Sequence, residues 1–301
     1  MDQEYRLFTQ PAELHKAINT LRGIVAGLST DRSVGNDEIQ ELAHWISLHE
    51  HLRNRHPFSE ILPIVEAACA DGVISEEESS DILWVCGSFA ESGSYYDSIT
   101  SSIQFLLGLI HGIMADAELS DAEIFALRKW IDSNEYLAST YPFDEINSLL
   151  DTILADRKIE QAEREMLMAF FSTIIDFKDS LNLHETEFED LRKTYTITGI
   201  CASCPEIMFE NKTFVFTGES YRASRTDMAE AAKRHGGKVT TKISGKTDYL
   251  IVGSGSNPCW KYSCYGNKIN DAMTFRANGA RVQIVHENDF WDAVDDADML
   301  G

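Results

Sequence analysis

The stretch FVFTGESYRASR, residues 214–225, changes its character within a few residues. It opens with the apolar residues of a strand, which Thr217 and Gly218 end abruptly. A polar loop follows, and Ser224 has the residue type of an N-cap for a helix with Arg225 in its first turn. A loop that joins a strand to the N-terminus of a helix favours an anion as ligand.

The residues after this stretch predict a small α/β domain. The helix that begins at Ser224 should end at Gly236-Gly237, where glycine supports the chain reversal. Residues 248–253 are almost continuously apolar, as expected for a central strand of a parallel sheet. The order βαββαβα predicts four parallel strands with helices on both faces. The other elements are strands at 238–240 and 281–285, a helix at 267–278 and a last helix that contains Phe290 and Trp291.

Several blocks of this region, in the right order, resemble the BRCT domain. They are F-x-x-K-T-F-x-F-T-G from Phe209, S-R at 224–225, G-G-K-V at 236–239, K-T-D-Y-L-I-V-G at 246–253, G-x-K at 266–268 and a closing F-W at 290–291. The resemblance covers about residues 207–295, and we place the domain at 206–298. It is similar to the form found in bacterial NAD-dependent DNA ligases and in the large subunit of the eukaryotic clamp loader. It implies the strand order 2-1-3-4.

With that strand order, strands one and three are neighbours whose connections leave on opposite faces of the sheet. Ligands of open parallel sheets bind at such a point, where Thr217, Gly218 and the start of the helix at Lys268 would converge. In phosphate-binding BRCT domains the matching positions are this threonine, this glycine and this lysine. In the clamp-loader type the arginine that matches Arg225 joins them to hold a DNA 5′-phosphate. The resemblance therefore implies Thr217, Gly218, Arg225 and Lys268 as phosphate ligands.

Three features leave other interpretations open. Threonine and glycine also end strands without any ligand, and a lysine at the start of an exposed helix is usually solvated. Asp271 stands where ligase-type BRCT domains tend to have a second lysine, which weakens a contact to a DNA backbone. The aromatic-rich loop at 254–265 could stack on a base or cover the pocket.

The first 180 residues contain an internal duplication with an offset of 85 positions. We predict an all-α domain of stacked helical hairpins at 1–180, because such repeats cannot bury their apolar faces alone. This domain is followed by a polar linker at 181–205, whose middle could be helical. The matched pairs are Leu21 with Leu106, Gly23 with Gly108, Gly27 with Gly112, Leu42 with Leu127, Trp45 with Trp130, Ile46 with Ile131, Pro57 with Pro142, Phe58 with Phe143 and Ile61 with Ile146.

Pairs of acids seven residues apart mark the turns of this region. They are Asp31 and Glu38, Asp71 and Glu78, Asp116 and Glu123, and Asp156 and Glu163. None of the four has the ligand spacing of an EF-hand, whereas Ser75 with Glu78 and Ser120 with Glu123 have the spacing of a capping box. The interpretation is helix capping and no metal site. The loop ADGVISEEE, 70–78, resembles the A-D-G-h-h-S-x-x-E turns of TerB-like domains, and the resemblance to this family covers about residues 15–175. The family includes proposed metal binders and scaffolds, and the resemblance implies no specific chemistry here.

Six cysteines do not form the pattern of a secreted disulfide framework, so we expect thiols in a reducing compartment. A four-thiolate zinc site from Cys201, Cys204, Cys259 and Cys264 is the alternative, although the second pair lacks the C-x₂-C spacing of a zinc knuckle. No cofactor is expected. The N-terminus lacks the features of a signal peptide, and no apolar segment is long enough to span a membrane, which predicts a cytoplasmic protein.

The formal net charge of −23 is unevenly distributed. Residues 1–204 carry 14 Lys and Arg against 36 Asp and Glu, whereas residues 205–286 carry 12 against 7 and residues 287–301 carry six acids. A basic module, which can approach phosphates, is therefore joined to an acidic one.

The chain lacks the K-x-D-G nucleophile motif of ligases, a Walker A loop and the G-x-S-x-G and H-E-x-x-H motifs, so we predict no catalytic residues and no enzyme. The main hypothesis is a DNA-repair adaptor whose BRCT domain binds 5′-phosphorylated DNA ends while the acidic helical domain binds a protein partner. The alternatives are a module that binds phosphopeptides or proteins, and a metal-responsive TerB-like stress protein.

Overall fold

The computed structural model describes residues 2–30, 35–92, 96–195, 197, 200–255 and 266–300. It confirms the predicted fold class, a helical region followed by an α/β region with a four-stranded parallel sheet. The helices are α1 Asp2–Leu28, α2 Asn36–His49, α3 Phe58–Cys69, α4 Glu76–Ser92, α5 Ser98–Ile113, α6 Asp121–Asp132, α7 Phe143–Ile153, α8 Gln161–Phe171, α9 Glu185–Thr194, α10 Arg225–Arg234, α11 Asn267–Ala277 and α12 Glu287–Leu300. The strands are β1 Thr213–Thr217, β2 Lys238–Val239, β3 Tyr249–Val252 and β4 Gln283–His286.

The chain forms two compact units that do not follow the chain order. The first contains residues 1–130 and 164–193, and the second contains 131–163 and 194–301. Helix α7 thus belongs to the same unit as the sheet. The predicted domain limits at 180 and 206 stay a prediction.

The first unit is organised around the close crossing of α1 and α5. A Cβ atom on Gly23 would lie 2.1 Å from the Phe105 carbonyl oxygen, and one on Gly108 would lie 2.2 Å from the Thr20 carbonyl oxygen. Only glycine allows two helix backbones to come so close. The approach is reciprocal between positions 85 residues apart, and so is the buried hydrogen bond of 2.9 Å from Asn19 to Gln104.

The predicted capping boxes are present at the turns of this unit. The amide of Ser75 donates to Glu78 at 2.9 Å and the amide of Glu78 donates back to the Ser75 hydroxyl at 3.2 Å. Ser120 and Glu123 form the same pair at 2.7 and 3.2 Å. The acids that precede these two boxes, Asp71 and Asp116, each accept from the amide two residues later, and Asp156 in the second unit does the same. Asp31 lies outside the described residues.

The first half of the predicted linker is fixed to the first unit by the buried carboxylate of Glu41. The amides of Leu181 and Asn182 donate to this carboxylate at 3.0 and 3.1 Å, and His111 Nε2 lies 2.6 Å from it. Burial alone would raise the pKa of Glu41, but the hydrogen bonds from His111 and Ser180 lower it below its usual value. Helix α9 follows, so the middle of this segment is helical.

The sheet of the second unit has the predicted order β2-β1-β3-β4 with all strands parallel. Alternate side chains of β1, such as Phe214 and Phe216, pack on one face with α10 and α12, whereas Val215 points to the other face, where α11 packs. The amide of Ala202 donates to the Ile284 carbonyl of β4 at 2.8 Å, so the end of the predicted linker is part of this unit.

A buried ion pair joins α11 to α7 within the same unit. The side chain of Arg276 is 1% exposed and binds Glu145 with two hydrogen bonds, from Nε at 2.6 Å and from Nη2 at 2.8 Å. Its Nη1 donates to the Val282 carbonyl at 2.6 Å, and Asp144 lies 3.4 Å away. Burial, together with the negative charge of Glu145, raises the pKa of Asp144 to about 6 although Arg276 acts in the opposite direction.

The cysteines differ in one respect from the expectation. Cys69, Cys86 and Cys204 are free, but Cys201 is part of a disulfide, so the expectation of thiols is wrong at that position. Cys259 and Cys264, needed for the alternative zinc site, lie outside the described residues. Within the described part of the chain, every helix is too short or too polar to cross a membrane.

Candidate phosphate-binding site

The predicted site lies where β1 and β3 end side by side. Gly218 follows β1 with a φ of +75°, and a Cβ atom there would lie 3.0 Å from the carbonyl oxygen of Gly253, the residue that follows β3. The Gly253 amide donates to the Thr217 carbonyl at 2.9 Å. A side chain at position 218 would be strained and crowded, so glycine is required for this turn.

Lys268, in the first turn of α11, reaches the end of β1. Its Nζ donates to the Phe216 carbonyl oxygen at 2.8 Å. Partial burial lowers the pKa of Lys268, and the nearby positive charge of Arg225 lowers it further. The ammonium is therefore held at the crevice beside a second cation.

Arg225, in the first turn of α10, points to the same turn from the neighbouring helix. Its Nε and Nη2 donate to the Gly218 carbonyl oxygen at 3.3 and 3.0 Å. We call Lys268 and Arg225 the site cations. Both bind backbone carbonyls, and neither has a carboxylate partner among the residues that the structure describes.

Neutral donors complete the crevice. In the described part of the chain, the Thr217 hydroxyl and the Gly218 amide donate to no acceptor. The N-cap of α11 is Gly266, which has no side chain to cap the first amides of the helix. A cationic pair, a free hydroxyl and uncapped amides at a helix N-terminus together form the donor set that a phosphate requires. The structure thus brings together all four predicted residues.

The loops of the site share a buried acid from the acid-rich segment 287–301. Glu287, at the start of α12, is 1% exposed and accepts from the Ser254 amide at 2.7 Å. Burial alone would raise the pKa of Glu287, but hydrogen bonds from Ser220 and Ser254 lower it below its usual value. The sequence carries one signal for this role, since Glu287 directly follows a strand and begins a helix.

Two other residues of the first loop have defined positions. Arg222 is paired with Asp295 at 2.9 Å and lies over the Trp291 ring, so its charge is partly neutralised. Tyr221 donates from its hydroxyl to the Gly255 carbonyl at 2.6 Å while its side chain remains exposed. Of the aromatic-rich loop at 254–265, residues 256–265 lie outside the described residues, so its role stays a prediction.

Comparison with known proteins supports the assignment of this region. Residues 204–293 match the model of the BRCA1 C Terminus (BRCT) domain. The chain is 36% identical to a DNA ligase of Persephonella marina over 91 residues, 30% of this chain and 11% of that protein. It is 56% identical to a DNA ligase of Haloferax volcanii over 41 residues, which are 14% of this chain and 6% of that protein. It is 32% identical to a DNA ligase of Brucella ovis over 85 residues, which are 28% of this chain and 10% of that protein.

The matches thus cover about a tenth or less of the length of these relatives and less than a third of this chain. No solved structure matches the chain. The sheet order, the glycine turn after β1 and the family match all concern the same segment. Residues 204–293 of this chain are a BRCT domain.

Proposed function

We propose that the BRCT domain binds a terminal phosphate, the 5′-phosphate of a DNA end, as part of a non-catalytic adaptor in DNA repair. One observation carries the proposal: the site cations are directed to the end of β1 by backbone carbonyls and not by carboxylates. A cation held in this way keeps its charge available for a ligand. The DNA ligases that this region resembles act on DNA, and this chain lacks their K-x-D-G motif.

A terminal phosphate suits this donor set better than an internal phosphodiester. It carries up to two negative charges and three free oxygens, whereas the diester carries one charge and two free oxygens. The two site cations can neutralise the dianion, and the Thr217 hydroxyl and the Gly218 amide can bind the remaining lone pairs. This difference in charge predicts that the site prefers the end of a DNA strand to an internal phosphodiester.

The acidic helical region has a different role in the proposal. With 36 acids against 14 bases in residues 1–204, it repels a DNA backbone, so it serves a protein partner. This repulsion also limits non-specific binding, because a phosphodiester backbone is bound mainly through positive charge. Selectivity for ends then depends on the site alone.

The test uses the full chain and hairpin DNA duplexes that differ only in a 5′-phosphate or a 5′-hydroxyl. We expect tighter binding of the phosphorylated end, and Lys268→Ala and Arg225→Ala should each weaken it by about 1.5–3 kcal/mol. Lys246→Ala is the matched control, because Lys246 is exposed and precedes β3, whereas the site lies where β1 and β3 end. Equal binding of both ends by the wild type, or an equal effect of all three substitutions, would contradict the proposal. Binding of a phosphopeptide in place of DNA would support the other class of ligand.

A further inference from the structure

We infer that Tyr221 is a stacking platform for the base of the nucleotide whose 5′-phosphate occupies the site. The inference rests on the proposed function and adds a specific role for one side chain. Tyr221 is 84% exposed, an unusual position for a large aromatic residue that follows a buried strand by only four residues. It is nevertheless fixed, because its hydroxyl donates to the Gly255 carbonyl.

The ring lies close to the phosphate donors. A Cβ atom on Gly218 would lie 3.0 Å from the Gly253 carbonyl oxygen, so the two loops are close there. The Gly255 amide donates to the Glu219 carbonyl at 2.6 Å, and the Tyr221 hydroxyl bonds the same pair of loops. Three peptide units separate Tyr221 from Gly218, so their Cα atoms are at most about 11 Å apart. A phosphate at Gly218 therefore places its own nucleotide within reach of the ring.

The hydrogen bond of Tyr221 determines what the ring can do. Its polar end is occupied by Gly255, so the aromatic face is the part that remains available to a partner. Aromatic faces stack on any nucleobase without sequence preference. A ring that is already oriented loses little conformational freedom when the base binds, which favours binding. Arg222, its neighbour, is occupied by Asp295 and Trp291 and does not compete for the base.

The test combines a change in the protein with a change in the DNA. The full chain and its Tyr221→Ala variant are titrated with two 5′-phosphorylated hairpins, one natural and one with an abasic 5′-terminal nucleotide. We expect Tyr221→Ala to weaken binding of the natural end by roughly five- to a hundredfold and to change binding of the abasic end less than twofold. Tyr221→Phe keeps the ring and removes only the hydrogen bond to Gly255, so it should weaken binding of the natural end less than Tyr221→Ala does.

Two controls separate this inference from the proposed function. Trp84→Ala removes another exposed aromatic, 72% exposed on α4, and should leave DNA binding unchanged. Lys268→Ala should weaken both DNA ends equally, because both carry the phosphate. If Lys268→Ala weakens binding of both ends equally but Tyr221→Ala also affects the two ends alike, the stacking role is wrong and the phosphate site stands. If neither variant changes binding, the proposed function itself is wrong.

Discussion

Replacing Arg276 by methionine should destabilise the second unit more than any surface substitution in it. The side chain is 1% exposed and gives Glu145 two hydrogen bonds of 2.6 and 2.8 Å. Methionine fills much of the volume but leaves the Glu145 carboxylate buried without its cation. Breaking a buried ion pair by removing one partner costs about 3–5 kcal/mol. We therefore expect the free energy of unfolding of this unit to fall by that amount.

The measurement is hydrogen exchange of the β3 and β4 amides in the full chain at increasing urea concentration. These amides report the stability of the sheet separately from the first unit. Arg281→Met is the matched control, because Arg281 is exposed on the chain segment just before β4, and its loss should cost no more than about 0.5 kcal/mol. The double variant Arg276→Met/Glu145→Met should recover at least half of the loss, because the Glu145 carboxylate is then no longer buried without its cation.

Two results would refute this reasoning. One is an effect of Arg276→Met below about 1 kcal/mol, as for a surface pair. The other is a double variant whose cost is the sum of the two single losses, since independent sites add and coupled ones do not. Either would mean that Glu145 does not depend on Arg276, and that α7 is not bound to α11 by this pair. Because α11 also carries Lys268 at its start, a strong effect should be accompanied by weaker binding of the phosphorylated end.

Three further predictions concern charge and packing. Asp144→Asn should stabilise the second unit relative to the wild type, and increasingly so as the pH rises from about 4 to 6. The folded pKa of Asp144 is raised to about 6, so the wild type loses stability through that window. A difference in unfolding free energy that does not change with pH would contradict this. Gly108→Ala should lower the melting temperature, because the new Cβ would lie 2.2 Å from a backbone oxygen, whereas Gly87→Ala, with only one side-chain atom 3.9 Å away, should raise it slightly. Glu41→Gln should lower the free energy of unfolding of the first unit by about 1–3 kcal/mol and speed up hydrogen exchange of the amides at 181–182. The stability that Glu41 contributes is present above pH 4.5 and should be lost as the pH falls, because its folded pKa is lowered. Unchanged exchange would show that Glu41 does not hold residues 181–182.

Local signals in the sequence predicted much of the fold. The serine at 224 does cap α10, accepting from the Asp227 amide at 3.2 Å, and the boxes at Ser75 and Ser120 formed as their three-residue spacing indicates. These features depend on residues within one helical turn. The four predicted ligands also meet, because the order of a parallel sheet determines which loops are neighbours.

Partners far apart in the chain were not predictable. Arg276 stands near the end of an ordinary helix, where a basic residue usually interacts with solvent and with the last carbonyls. Its burial follows from Glu145, which lies 131 positions earlier. Glu287 was missed for the same reason, since its ligands Ser220 and Ser254 belong to two other loops. Burial of a charge depends on packing that a single sequence does not reveal.

The net charge of this chain conceals where its positive charge is available. Helix α12 is acidic, but two of its carboxylates pair with cations of the BRCT domain: Asp295 pairs with Arg222 and Asp298 pairs with Arg234. These pairs reduce the attraction of the domain for any polyanion. The site cations have no such partner in the described residues and bind backbone oxygens at the end of β1. A chain with an overall charge of −23 can therefore keep two available cations side by side, and the proposed function predicts that this pair prefers a concentrated terminal charge to a long charged backbone.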